Sequence, residues 1–369
     1  MTALLVGLIV ASAIGLAFAN GANDNSKGVA TLIGGGVLRI KPALIYAAVT
    51  TAMGSVAAIW IGAELAAKFK GKGIVADAIW QSAEFPACVG IAAGTTVLAA
   101  TRIAMPISTT HAMVGSIIGI GLAGGGLQWG GVWKSFFYPL LASPFIAVVF
   151  AASLYLLFTG VRRLTRVNRQ TCVCVGEEVV PVTVGGDGVM ALSSTGVTLS
   201  TAQTEQCVQR YQGRLLGIDA QWLLDKSHLL SAGAVSFARG LNDTPKVAAL
   251  MIGLSFLTDA SSVVIVGAGI ALGGLLAVRR VAQTMSYCIT GMNDGQAFAA
   301  NLSTAFLVIV ASKWGVPVST THVSCGSLIG IGATNRQGRW KMIGTILLAW
   351  IVTLPVAALL GAAAWSVIG

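Results

Sequence analysis

Two acidic residues of this chain stand in apolar sequence, and each is followed three residues later by a lysine: Asp24 by Lys27, and Asp243 by Lys246. An asparagine precedes each acid: Asn23 and Asn242. A spacing of three residues puts acid and lysine on one face of a helix. A carboxylate in an apolar medium needs a cation, a proton or a cationic partner. The pairs could serve a transported ion or could be ion pairs that let two helices meet, and the recurrence favours the first.

A second polar phrase, Pro-x-Ser-Thr-Thr-His, also occurs twice. In each copy the proline ends the preceding segment, and the serine begins the next helix. A serine at this place normally caps the helix, so capping alone is one interpretation. Two further hydroxyls beside N–H groups at the positive end of the helix dipole favour a site for a tetrahedral oxyanion. The predicted anion ligands are Ser108, Thr109, Thr110, Ser319, Thr320 and Thr321, with Lys27 and Lys246 adding positive charge.

Four further polar residues have two interpretations each. His111 and His322 end the two copies of the second phrase. A single histidine on a helix is usually structural, but its titration near neutral pH keeps a role in proton coupling open. Asn293 and Gln296 begin another helix in the second half, with no equally polar counterpart in the first half. They predict either an asymmetric contact to ion or substrate, or only a polar helix start.

The composition defines the medium in which these residues lie. Hydrophobic residues make up 55% of the 369 residues, charged residues 10%, and the mean hydropathy is +0.82. A soluble domain carries roughly 25% charged residues. Apolar runs long enough to cross a bilayer as helices recur along the chain. We therefore predict a polytopic helical protein of a cell membrane, and the net charge of +10 indicates contact with lipid, not with nucleic acid.

Both phrases recur in the same order and at nearly the same distance along the chain, which indicates one ancestral unit used twice. The hydrophobic runs predict about ten full spans with two re-entrant segments, hence five per half. An odd number per half means that the halves are inverted relative to each other. The predicted domains are repeat 1 at 1–163, an insert at 164–226 and repeat 2 at 227–369. Loop Lys and Arg residues favour both termini outside and the insert in the cytoplasm.

The insert differs in texture from the two halves. Short β segments at 171–175, 179–184 and 189–192 surround a glycine-rich break, and an amphipathic stretch at 215–224 ends the insert. Cys172, Cys174 and Cys207 could bind a metal, but the spacing lacks a paired Cys-x-x-Cys. Reduced cytosolic cysteines are the better interpretation, so no metal or cofactor is predicted.

Taken together, the doubled Gly-x-Asn-Asp and Pro-x-Ser-Thr-Thr-His phrases resemble those of the PiT-type inorganic phosphate transporter family, and the segment 340–365 is similar to its last span. The resemblance covers both halves but not the insert. It implies an inverted-repeat carrier, usually a homodimer, that moves orthophosphate with Na⁺ or H⁺. It also implies that the Ser-Thr-Thr residues line the phosphate. The residues that it implies for ion coordination are Asn23, Asp24, Asn242 and Asp243.

One departure from the family bears on the coupling ion. Sodium-coupled members tend to have an asparagine where this chain has Lys27 and Lys246, and a fixed ammonium repels Na⁺ in a weak dielectric. We therefore expect coupling to H⁺, or a metal–phosphate substrate, in preference to Na⁺. Sulfate stays open as another oxyanion, as does a passive anion channel. An intramembrane hydrolase is disfavoured, because it needs one nucleophile and one base, not two symmetric copies.

Overall fold

The structure is a computed structural model that describes residues 2–165, 171–184, 189–203, 216–287 and 292–369. Most of the chain in these ranges is helical. A π-helical turn, Trp133–Phe137, precedes the long helix that begins at Tyr138. The helices in chain order are α1 (Ala3–Asp24), α2 (Ala30–Gly34), α3 (Ile40–Ile61), α4 (Ala63–Lys68), α5 (Asp77–Trp80), α6 (Phe85–Arg102), α7 (Thr109–Ala123), α8 (Trp129–Val132), α9 (Tyr138–Thr165), α10 (Ala220–Ala248), α11 (Asp259–Leu276), α12 (Arg279–Tyr287), α13 (Asp294–Lys313), α14 (Thr320–Asn335) and α15 (Trp340–Ile368).

Seven of the helices in the described ranges are long and apolar enough to cross a membrane. They are α1, α3, α6, α11, α13, α15 and the continuous stretch from α8 to α9. The prediction of a helical multi-pass membrane protein is therefore confirmed. The chain divides into two compact units, Met1–Tyr155 with Leu230–Gly369, and Leu156–Leu229.

Helix α1 packs closely on its neighbours through small residues, as is common where helices associate in a membrane. It contacts α6 on one side and α11 on another. A Cβ atom on Gly21 would lie 1.9 Å from the carbonyl oxygen of Ile270, and one on Gly273 would lie 2.0 Å from that of Phe18. The backbones of α1 and α11 therefore touch, and this contact holds the end of α1 in the interior.

We expect Gly21→Ala to destabilise the protein, because the added methyl group must push α1 away from the backbone of α11. Overpacking of this kind costs about 1–3 kcal/mol. Thermal unfolding in detergent measures the effect. Gly15→Ala is the matched control on the same helix, since a Cβ atom there meets no atom within 4 Å. Equal unfolding temperatures for the two variants would show that the close contact does not support the fold.

The two copies of the Asn-Asp phrase differ in backbone. In the first copy α1 ends at Asp24, and a short turn leads to α2. In the second copy α10 continues through the phrase to Ala248 and contains Pro245. The first copy thus interrupts the helical path, whereas the second copy lies within one continuous helix. A Cβ atom on Gly28 would lie 2.1 Å from Ser236 Oγ, so glycine lets the turn after α1 pack closely on α10.

The insert contains a three-stranded antiparallel sheet in the order β2-β1-β3. The strands are β1 (Thr171–Val184), β2 (Val189–Gln203) and β3 (Leu216–Asp219). Two of the predicted β segments merge into β1, with an irregularity in pairing between Glu177 and Val179. The predicted amphipathic stretch is divided between β3 and the start of α10. Cys172 and Cys174 lie on β1, and Cys207 lies outside the described residues.

Candidate functional site

The repeated phrases meet in the interior of the unit formed by Met1–Tyr155 and Leu230–Gly369. Their side chains come from the end of α1 and the turn after it, the last two turns of α10 and the starts of α7 and α14. All twelve residues predicted for the anion and ion sites are buried: Asn23, Asp24, Lys27, Ser108, Thr109, Thr110, Asn242, Asp243, Lys246, Ser319, Thr320 and Thr321. We call this group the polar cluster.

Lys27 is held by oxygen atoms from both halves of the chain. Its ammonium pairs with Asp24 Oδ1 and donates to Thr321 Oγ1. It also donates to the carbonyl oxygen of Ile107 at 3.0 Å. Thr321 Oγ1 itself donates to the same carbonyl at 2.8 Å. The lysine of the first half is therefore bound to the Ser-Thr-Thr phrase of the second half.

Lys246 has the corresponding contacts in the opposite direction. Its Nζ atom lies 3.4 Å from Asp243 Oδ1, 2.7 Å from the carbonyl oxygen of Val318 and 2.9 Å from Thr110 Oγ1. The lysine of the second half is thus bound to the Ser-Thr-Thr phrase of the first half. This reciprocal crossing brings the two helix starts together around two ion pairs.

The hydroxyl residues divide into two groups. Ser108 and Ser319 are helix N-caps, since Ser108 Oγ accepts from the His111 N–H at 3.1 Å and Ser319 Oγ from the His322 N–H at 3.3 Å. The capping interpretation therefore holds for both serines. The threonine hydroxyls bond other side chains of the site: Thr109 Oγ1 accepts from Asn20 Nδ2 at 3.0 Å, and Thr320 Oγ1 donates to Asp243 Oδ2 at 3.4 Å.

Asn23 and Asn242 hold the segments that precede the two helix starts. Asn23 Nδ2 donates to Thr101 Oγ1 at 3.0 Å and to the Met105 carbonyl at 2.9 Å, and Asn23 Oδ1 accepts from the Ile107 N–H at 3.0 Å. Asn242 Nδ2 donates to the Val318 carbonyl at 3.3 Å and to Asp243 Oδ1 at 3.0 Å, and its Oδ1 accepts from Ser312 Oγ at 3.1 Å. Both amides therefore fix backbone at the helix starts.

Sequence reasoning missed two residues of the site, Asn20 and Arg239. Asn20 Nδ2 lies 3.4 Å from Asp24 Oδ2 and 3.2 Å from Asp243 Oδ2, so that one amide joins both carboxylates. Arg239 Nη1 donates to Asn20 Oδ1 at 3.3 Å. The two residues occupy the same relative place in the two Asn-Asp phrases, between alanine and glycine. Their different types hid this correspondence from a search for identical residues.

The two histidines contact each other beside the helix starts. Their ring centroids are 4.3 Å apart with the planes at 87°, and His322 stacks on Trp350 at 3.9 Å. His322 Nδ1 lies 3.3 Å from the carbonyl oxygen of Leu140. An apolar cavity of about 460 Å³ borders both rings. These contacts suit the structural interpretation of the pair, with the two halves touching at equivalent positions.

Asn293 and Gln296 form a capping box at the start of α13. Asn293 Oδ1 accepts from the Gln296 N–H at 3.0 Å, and Gln296 Oε1 accepts from the Asn293 N–H at 2.9 Å. Gln296 also bonds Tyr155 and Asn335. These partners lie outside the polar cluster and suit a polar helix start.

Within the described ranges, no group of three or more His, Cys, Asp or Glu residues could hold a metal ion.

Chemically, the polar cluster combines the donors that bind a tetrahedral oxyanion. The two ammonium groups and the threonine hydroxyls converge, and the first N–H groups of α7 and α14 have no partner inside their helices. The carboxylates can accept a proton from a protonated substrate. A phosphate ion, which both donates and accepts hydrogen bonds, would satisfy both kinds of group.

Comparison with known proteins identifies the family. The sequence profile described as "Phosphate transporter family" matches residues 20–361. The chain is 30% identical, over 97% of its length and 95% of the relative, to a "Probable low-affinity inorganic phosphate transporter" of Rhizobium meliloti. It is 26% identical, over 99% of its length and 98% of the relative, to a "Putative phosphate permease" of Pyrococcus abyssi.

A solved structure of a sodium-dependent phosphate transporter has a similar fold, with a TM-score of 0.74, 20% identity and coverage of 99% of this chain and 98% of that one. The family resemblance inferred from the doubled phrases is confirmed, and the relatives are transporters, not hydrolases. The chain belongs to the phosphate transporter family of multi-pass membrane proteins, whose substrate is phosphate.

Proposed function

We propose that this protein is a symporter that carries inorganic phosphate across the cell membrane by alternating access, with H⁺ as the coupling ion. In this proposal the threonines and lysines of the polar cluster bind phosphate, and Asp24 and Asp243 carry the proton. Asn23 and Asn242 hold the backbone around them. The observation that carries the proposal is the reciprocal crossing of Lys27 to Thr321 and of Lys246 to Thr110.

The lysine contacts support H⁺ over Na⁺. Each ammonium is surrounded by a carboxylate, a main-chain carbonyl and a threonine hydroxyl, which are the oxygen types that bind hard metal cations. A lysine ammonium at that place already neutralises the carboxylate, and its charge repels Na⁺. A proton, in contrast, binds directly to a carboxylate and needs no separate cation site.

Phosphate is favoured over sulfate by the same carboxylates. Sulfate only accepts hydrogen bonds, whereas protonated phosphate also donates. A carboxylate that accepts from the substrate would be left unpaired with sulfate, and sites of this kind discriminate strongly. Both carboxylates lie among hydrogen-bond donors. Asn20, which also bonds Thr109, donates to Asp24, and Thr320 donates to Asp243.

The reciprocal contacts also support two structurally equivalent halves. We place repeat 1 at 1–163 and an inverted repeat 2 at 227–369, with the insert at 164–226 in the cytoplasm and both termini outside. As in the family resemblance, the carrier is a homodimer in the bilayer. The reciprocal pairs Lys27–Thr321 and Lys246–Thr110, and the contact of His111 with His322, are those that a two-fold relation between halves produces.

Uptake of radiolabelled phosphate into vesicles containing the purified protein tests this function. We expect an inward H⁺ gradient to drive accumulation without Na⁺, and a tenfold excess of sulfate to leave uptake unchanged. An equal Na⁺ gradient at constant pH should give only the background of protein-free vesicles. Accumulation that follows Na⁺ and ignores the pH gradient would overturn the choice of coupling ion, and inhibition by sulfate would overturn the choice of substrate.

A further inference from the structure

Arg239 is a buried cation that the proposed function has not yet used. It lies on α10, four residues before Asp243, and its exposed fraction is 1%. A guanidinium group carries five N–H donors. Its three side-chain hydrogen bonds go to neutral oxygens, at 3.3 Å to Asn20 Oδ1, 3.3 Å to Asn25 Oδ1 and 3.1 Å to Thr51 Oγ1. Its Nε atom is buried without a partner.

The charges of the polar cluster do not balance when Arg239 is included. The two lysines are paired with the two aspartates, Lys27 with Asp24 and Lys246 with Asp243. No carboxylate oxygen of the described residues lies within ion-pair distance of Arg239. Outside the insert, these five are the buried Asp, Glu, Lys and Arg side chains in the described part of the chain. With all five ionised, the interior therefore carries one positive charge in excess.

A buried charge without a counterion is costly, and a charged residue at membrane depth marks the pathway of a substrate or ion. The position of Arg239 indicates which ion that is. Through Asn20 it is linked to Thr109 and to both carboxylates. Arg239 is therefore connected to the proposed phosphate ligands through the side chain of Asn20 and does not contact them directly.

We propose that Arg239 is the residue that makes the site net cationic, and that this unpaired charge draws the phosphate anion into it. Arg239 acts through the electrostatic field of its charge and through its hydrogen bond to Asn20, so it is a positioning residue. This inference rests on the proposed function. It assigns the attraction of the anion to a residue outside both Ser-Thr-Thr phrases, at the place in the second Asn-Asp phrase where the first copy has Asn20.

Equilibrium binding of radiolabelled phosphate to the purified protein, at fixed pH, tests the proposal. We expect Arg239→Gln to raise the Kd at least roughly tenfold, since it removes a unit charge from a poorly screened interior. We expect Arg239→Lys to stay within about threefold of the wild-type Kd, because it keeps the charge. Thr51→Val removes one acceptor of Arg239 but not its charge, so its Kd should also stay within about threefold.

Thermal unfolding of the same samples gives the folded fraction to which each Kd refers. A purely structural role predicts lower unfolding temperatures with an unchanged Kd for Arg239→Gln, and that result would overturn the proposal. The proposal would also be overturned if folded Arg239→Lys showed a Kd raised at least roughly tenfold, as expected for the glutamine variant. If Arg239→Gln does not fold, the Kd of Arg239→Lys alone decides whether the charge matters. Wild-type protein that binds no phosphate would instead contradict the proposed function.

Discussion

We expect Asp243→Asn and Asp24→Asn each to abolish proton-driven phosphate uptake. Asparagine has nearly the same shape as aspartate, so it keeps a partner for Asn20 and for the lysine but removes the negative charge. The lysine is then a buried cation without its counterion, which costs about 3–5 kcal/mol. Uptake should fall at least roughly hundredfold, because the site loses its proton carrier and the counterion of a buried lysine.

Vesicle uptake under an imposed pH gradient measures this effect, with size-exclusion profiles as the check on folding. Asp259→Asn is the matched control, since Asp259 is an exposed acid in the first turn of α11. Its uptake should equal that of the wild type. If both cluster variants accumulate phosphate at the wild-type rate, the carboxylates have no part in coupling.

The double variant Lys27→Asn, Lys246→Asn should convert the carrier to dependence on Na⁺. Removal of the two ammonium groups leaves each carboxylate beside a main-chain carbonyl and a threonine hydroxyl. Such oxygen sets bind hard cations, and the unpaired carboxylate attracts one. We expect a Na⁺ gradient at constant pH to drive uptake at least roughly tenfold above the rate of the wild type under the same gradient.

Uptake without Na⁺ should fall in this double variant, because phosphate also loses two cationic ligands. Lys313→Asn is the matched control, an exposed lysine in the last turn of α13. It should stay insensitive to Na⁺. A double variant whose uptake ignores Na⁺, or a wild type already driven by it, would show that the lysines do not occupy the place of the coupling cation.

The membrane class could be predicted because it depends on local sequence, and a shared site could be predicted because the same phrases occur in both halves. The low share of charged residues and the long apolar runs indicate that the helices lie in lipid, without any knowledge of tertiary contacts. Identical phrases in two halves predict equivalent places, and the structure brings Lys27, Lys246, Thr110 and Thr321 together. The inverted arrangement of the halves stays a prediction.

The partners that side chains find far along the chain could not be predicted. Asn23 and Asn242 bond main-chain carbonyls of segments far along the chain, and no residue type at those positions reveals a carbonyl contact. Arg239 escaped notice because it is an arginine where the first copy has Asn20, so the comparison of identical residues passed over it.

The decisive measurement is a structure of the protein determined in the presence of phosphate. We expect a tetrahedral anion within about 3 Å of threonine hydroxyls from both halves, Thr109 or Thr110 on one side and Thr320 or Thr321 on the other. We also expect Lys27 and Lys246 to exchange their threonine contacts for the anion. Phosphate bound at another place, or held by only one of the two helix starts, would contradict this expectation.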